Sequence, residues 1–159
     1  MKKYISVLTM ICVFAVAGIS GAAAQEAKTA NPASDFEYDL TEDGDGVIIR
    51  RYKGESTDVV IPAVIEDFPV ITLGKAAFAK TNVISVVLPD SITSIYSYCF
   101  NDCRSLQNVV IPDSVTYIGN YCFNDCWSLQ NVVLPNGLTA IYDGLFEQCK
   151  ALKAITLPD

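Results

Sequence analysis

Three stretches of the chain share one period. Residues 88–110 (LPDSITSIYSYCFNDCRSLQNVV), 111–133 (IPDSVTYIGNYCFNDCWSLQNVV) and 134–156 (LPNGLTAIYDGLFEQCKALKAIT) each open on an apolar residue and a proline. Pro89, Pro112, Pro135 and Pro158 therefore recur every 23 residues. The first two copies agree at 17 of 23 positions, where chance gives about one or two. The third agrees with the second at six: Pro135, Thr139, Ile141, Phe146, Cys149 and Leu152. Four of these six are apolar or cysteine, so divergence has spared the inward skeleton. A unit this short cannot bury its apolar side alone, and stacking the units buries a continuous core. The repeat fixes an architecture and points to a binding role.

Within each unit the residues set the local structure. Leu106, Val109, Ile111 and Pro112 recur as Leu129, Val132, Leu134 and Pro135, and again as Leu152, Ile155, Leu157 and Pro158. That spacing fits a loop residue followed by a short strand. Alternation sends Val109 and Ile111 inward and Asn108 and Val110 outward. The remainder carries Val115, Ile118, Cys122, Phe123 and Cys126. From Ile118 onward the steps of 4, 1 and 3 residues predict one or two tight helical turns. Each unit is expected to run strand, bend, helical turn and back to strand. A period near 23 lies within the roughly 20–29 residues of leucine-rich repeats.

The unit IPDSVTYIGNYCFNDCWSLQNVVLP resembles the BspA-like, or treponemal-type, subclass of bacterial leucine-rich repeats, whose hallmark is IPxSVTxIG…AFxxCxxLxxIxIP. The resemblance covers residues 36–159. Two departures stand out: Cys99 and Cys122 replace the usual Ala before Phe, and the chain stops just after a unit boundary. Ser91, Ser114 and Gly137 stand near the phase where the commonest leucine-rich repeats carry Asn. The resemblance implies a repeat solenoid of about four 23-residue units with an N-terminal cap, and a buried cysteine in each unit. It also implies a surface or secreted protein that attaches to host matrix or to other cells.

The remaining segments divide the chain. Residues 1–24 carry Lys2, Lys3, an apolar run from Ile5 to Ile19 and an Ala22-Ala23-Ala24 cleavage site, the pattern of a secretory signal peptide. The mature chain then begins at Gln25. Residues 25–34 (QEAKTANPAS) are polar and small and predict a disordered leader. Residues 35–60 predict an N-terminal hairpin cap, with two β-rich runs around TEDGDG, and residues 61–159 the leucine-rich repeats. Residues 63–73 carry an insertion relative to the later units, since Pro62 and Pro89 are 27 apart. The unit beginning at Phe78 is one residue short, and the gap is placed at the cysteine phase. TEDGDG lacks the Glu that an EF-hand loop needs at its twelfth place, so it is expected to be a hairpin turn.

Charge and composition exclude several functions. After Ala24 the chain keeps 9 basic and 18 acidic residues, which repels phosphate backbones and anionic lipid. There is no histidine, so Ser-His-Asp and Cys-His sites are ruled out. No Gly-rich phosphate loop is present, and no catalytic residue and no cofactor is expected.

Stacking turns each phase into a row. The inward rows are Val59, Val86, Val109, Val132 and Ile155; Ile61, Leu88, Ile111, Leu134 and Leu157; and Phe78, Phe100, Phe123 and Phe146. The outward row Val60, Val87, Val110, Val133, Thr156 is not needed for the core. Beside it run Asn108 and Asn131, and Gln107 and Gln130. Two accounts are open for the valines: β propensity, or a contact stripe flanked by amides. The second is preferred, and Trp127, the only Trp, joins it as a partner-binding candidate. Leu152, Ile155 and Leu157 are expected to mediate self-association through the C-terminal end, giving a possible homodimer. For the rows Cys103, Cys126, Cys149 and Cys99, Cys122, three accounts are open: buried free thiols, disulfides, or zinc on Cys99, Cys103, Cys122 and Cys126. Buried thiols are preferred and no metal is expected. The reading is an exported, periplasmic or surface-associated, non-catalytic protein that binds a protein or peptide partner in the manner of an adhesin. The alternatives are capture of a lipid-like molecule on the valine stripe, or a periplasmic scaffold.

Overall fold

A computed structural model describes residues 28–156. The expected signal peptide and Leu157 lie outside the described residues. The chain opens on a short 3-10 turn, Ala33–Asp35, and an antiparallel hairpin of β1 (Phe36–Leu40) and β2 (Val47–Tyr52). The TEDGDG turn is closed internally: Thr41 N–H donates to the Gly46 carbonyl at 2.8 Å, and Gly44 takes φ +76°. The Thr41 hydroxyl, and then the Asp45 backbone N–H, hold the Asp43 carboxyl below its ordinary range, so this acid serves the turn.

Two ribbons of parallel strands follow. One is β3 (Asp58–Val60), β6 (Ser85–Val87) and β8 (Asn108–Val110), in register across equivalent residues. Beside β8 stands β10 (Asn131–Val133), which pairs in parallel with β11 (Ala154–Thr156). The other ribbon runs from β2 through β5 (Phe68–Leu73) and β7 (Ser94–Ile95) to β9 (Tyr117–Ile118). The segment 63–73, which carries the insertion, forms a second hairpin: β4 (Val64–Ile65) pairs with β5 across Glu66 and Asp67. Both turn residues have positive φ, 50° and 70°, as a two-residue turn matched to strand twist requires. The result is a β-solenoid with one short 3-10 turn and no α-helix among the described residues.

The expected helical turns are therefore corrected. Between the ribbons the backbone N–H groups split by parity. Cys99, Asn101 and Cys103 donate three residues back, to Tyr96, Tyr98 and Phe100. Tyr98, Phe100 and Asp102 donate to the next rung, to Asn120, Cys122 and Asn124, at 2.8–3.0 Å. An α-helix directs every N–H to its own i−4 carbonyl, and here half are committed to a neighbour. Tyr98, Asp102, Tyr121 and Asp125 take φ between 56° and 62°, which right-handed helix excludes.

The core is a row of aromatic rings. Phe36, Tyr52, Phe78, Phe100, Phe123 and Phe146 follow one another at centroid distances of 5.1–5.6 Å. Tyr52 carries the row into the hairpin, and its N–H donates to the Ala77 carbonyl at 2.7 Å. Val59, Val86, Val109 and Val132 are buried. Ile155, assigned inward by the repeat, is 41% exposed, because no further rung covers it among the described residues. Ser91 and Ser114 donate their hydroxyls to the Val70 and Ile92 carbonyls of the preceding rung. The short first unit keeps its cysteine phase: Thr81 stands there, 3.5 Å from Cys103 Sγ, so the missing residue falls after it.

Candidate protein-interaction face

The strand ribbon carries the expected outward row. Val87, Val110 and Val133 are 40%, 59% and 62% exposed, while Val86, Val109 and Val132 beside them are buried. Gln107, Asn108, Gln130, Asn131 and Thr156 are exposed as well. Val60 differs, because it is half-buried. Asn31 holds the edge of its strand from both directions: Asn31 N–H donates to the Val60 carbonyl, and Val60 N–H to Asn31 Oδ1, each at 2.9 Å. Lys28 adds an ion pair to Asp58 at 3.2 Å, and the Ser85 hydroxyl also donates to Asp58. The described part of the 25–34 segment is thus bonded to the ladder, where sequence predicted disorder. An asparagine side chain that mimics a strand partner leaves no periodic signal. The open stripe starts at Val87.

Trp127 stands exposed at the turn that feeds β10. Both faces of its ring are occupied, by the Arg104 guanidinium at 4.2 Å and the Lys150 ammonium at 4.1 Å from the centroid. The indole N–H donates to Asp125 at 3.0 Å, and Arg104 Nε to Asp102 at 2.6 Å. The 23-residue spacing of 104, 127 and 150 was the signal for this sandwich. For self-association, Leu152 is half-buried and Ile155 exposed in the last described rung.

A third surface is lined by tyrosines. Tyr96, Tyr117 and Tyr142 contact in succession at 5.7 and 5.4 Å, and Tyr98 stacks on Tyr121 at 5.4 Å and 9°. Tyr98 and Tyr121 both have positive φ, unusual for a bulky residue. In the next rung their phase is held by Gly144 at φ +63°, where an added Cβ would lie 2.2 Å from the Tyr121 ring.

The five cysteines of the described residues are free thiols. Cys103, Cys126 and Cys149 donate to the Phe78, Phe100 and Phe123 carbonyls of the preceding rung at 3.0–3.2 Å. Burial pushes Cys99, Cys103 and Cys122 above the ordinary thiol range. The Cys149 thiol, and then burial, raises Cys126, and the same contact lowers Cys149. A row that tucks its sulfurs onto backbone carbonyls is a structural row.

Among the described residues no helix is long and apolar enough to cross a membrane. No curated protein matches the sequence significantly. Solved structures do. A leucine-rich repeat protein of T. pallidum is 34% identical over 82% of this chain and 72% of its own, with a TM-score of 0.67. One from Bacteroides capillosus is 27% identical over 81% of this chain and 98% of its own, with a TM-score of 0.71. A leucine-rich cell surface protein of Faecalibacterium prausnitzii is 28% identical over 85% of this chain and 44% of its own, with a TM-score of 0.64. Residues 70–159 match the BspA type leucine-rich repeat region in six copies. Together with the stacked rungs and their phenylalanine and cysteine rows, these matches place the chain in the BspA-type leucine-rich repeat family.

Proposed function

We propose that this chain is an exported, non-catalytic binding protein that presents its strand face to a protein or peptide partner, in the manner of an adhesin. The carrying observation is the valine row. Val87, Val110 and Val133 stand in the open on strands whose alternate valines already fill the core. Contiguous exposed apolar surface marks interaction sites, and solenoids use their strand faces for this. The neighbouring Gln107, Gln130, Asn108 and Asn131 supply hydrogen bonds around it. Lysine and an apolar run in residues 1–24 support export, and one similar solved structure is named as a cell surface protein.

The test is adherence of cells carrying the chain to immobilised extracellular matrix or to other bacterial cells. A Val110→Asp/Val133→Asp variant is expected to lose adherence while keeping its melting temperature within a few degrees. Full adherence by that variant would overturn the assignment. Protease treatment of intact cells tests the location: digestion supports surface exposure, and protection until the outer membrane is opened supports a periplasmic partner. Self-association through Leu152, Ile155 and Leu157 is expected as a concentration-dependent dimer in sedimentation.

A further inference from the structure

We infer that Asn31 and Ser56 form an edge guard: they fill the outer edge of β3 and keep a second copy of this chain from adding its β11 there. The inference goes beyond the strand-face reading and does not depend on it.

The two ribbons begin differently. The hairpin strand β2 covers the ribbon that continues in β5. The other ribbon begins at β3, whose one strand partner is β6. Ile61 N–H donates to the Val87 carbonyl at 3.0 Å, and the Thr57 carbonyl accepts from Ile84 N–H at 2.6 Å. Alternate residues of a parallel strand turn their backbone groups to opposite sides, so Asp58 and Val60 face outward. All four of their groups are taken within the chain. The Ser56 hydroxyl donates to the Asp58 carbonyl at 2.8 Å and accepts from the Asp58 N–H at 3.3 Å. Asn31 does the same for Val60, with its N–H on the carbonyl and its Oδ1 on the N–H, both at 2.9 Å. Asn31 Nδ2 donates to Asp35 Oδ2 at 2.9 Å, which holds Oδ1 toward Val60.

An open strand edge is a template for another strand, and the ladder shows which strand fits. β6 on β3, β8 on β6 and β11 on β10 all add in parallel with equivalent residues paired. Among the described residues β11 pairs with β10 alone, and Ile155 is exposed. The Thr156 carbonyl accepts from Leu134 N–H at 3.1 Å, so by the same alternation Ile155 turns its groups away from β10. Continuing the register sets Ile155 of one copy against Val59 of the next. Its N–H would meet the Asp58 carbonyl, and its carbonyl the Val60 N–H. Those are two of the groups that Ser56 and Asn31 hold. Charge adds a second barrier. Asp58, ion-paired to Lys28 at 3.2 Å, stands where later rungs carry Ser85, Asn108, Asn131 and Ala154. A charged residue on an edge strand discourages pairing. Without the guard, the contact would join the last rung of one copy to the first rung of the next. Such a head-to-tail contact does not close on itself and grows into a filament.

The test is sedimentation of Asn31→Pro/Ser56→Ala over a rising concentration series, beside the unaltered chain. The double variant loses the Asn31 N–H, the Asn31 amide and the Ser56 hydroxyl together. Its mass is expected to keep rising beyond the dimer, whereas the unaltered chain stops there. Adding Ile155→Pro, which removes the donor N–H of β11, should abolish the growth. At low concentration the Val60 amide of the double variant should exchange its hydrogen at least about tenfold faster. If the double variant does not melt cooperatively, Asn31→Leu is read in its place. That variant keeps the backbone donor, loses only the acceptor for Val60 N–H, and should still grow beyond the dimer. A variant that sediments like the unaltered chain, growth that survives Ile155→Pro, unaltered chain that itself grows past the dimer, or unchanged exchange at Val60 would each overturn the inference.

Discussion

The phenylalanine row and the valine row repeat at the same 23-residue interval and end differently. Phe78, Phe100 and Phe123 are wholly buried and lie ring on ring, whereas Val110 and Val133 are more than half exposed. Recurrence of an apolar residue therefore does not mark core by itself. What separates the rows is whether the alternate residue of the same strand has already filled the interior. Val109 and Val132 have done so, which leaves Val110 and Val133 free for another molecule.

The comparison can be broken most forcefully at Phe123. Phe123→Ala is expected to cost about 3–5 kcal/mol in urea unfolding, since it removes a ring stacked on both sides. Val110→Ser, on the exposed row, should stay within about 0.5 kcal/mol. Similar costs at the two sites would erase the distinction. Gly144→Ala comes next, at more than about 1 kcal/mol, because Gly144 has positive φ and the Tyr121 ring fills the space of its Cβ.

The cysteine row sharpens the comparison without mutation. Cys99, Cys103, Cys122 and Cys126 all have raised pKa values, so native protein at pH 8 should react slowly with Ellman's reagent. Cys149, half-buried and lowered, should react first. In protein lacking residues 1–24, and hence Cys12, denaturant should release all five, and fewer than five would indicate a disulfide. The smallest effect concerns the Asn31 end of the valine stripe. The Ser85 hydroxyl, then Lys28, holds Asp58 below its ordinary value of 3.8. A depressed carboxyl stabilises the fold above its unfolded pKa and loses that contribution as pH falls through the folded pKa. Attachment of the leader through Asp58 should therefore weaken only below pH 3.8, and Ser85→Ala should raise the pKa seen by NMR titration.

Much of the solenoid was legible because strand alternation has period two and the rung has period 23. Val109 buried and Val110 exposed follow from both at once. The helical expectation failed because side-chain spacing at Ile118, Cys122, Phe123 and Cys126 is the same in a stacked turn as in a helix. The two differ in where backbone N–H groups go, which side chains do not record. The second ribbon was missed because Ser94–Ile95 and Tyr117–Ile118 are too short to alternate. The hold of Asn31 on Val60 and the left-handed Tyr98 and Tyr121 depend on tertiary contacts, and no local pattern announces them.

The most direct measurement is photocrosslinking on intact cells, with a benzophenone amino acid at position 110 or 133 and, as comparison, at exposed Thr93 beside the other ribbon. A protein adduct from 110 and 133, absent from 93, is the predicted result. Adducts from 93 alone, or from none of the three, would contradict a strand face built to be gripped.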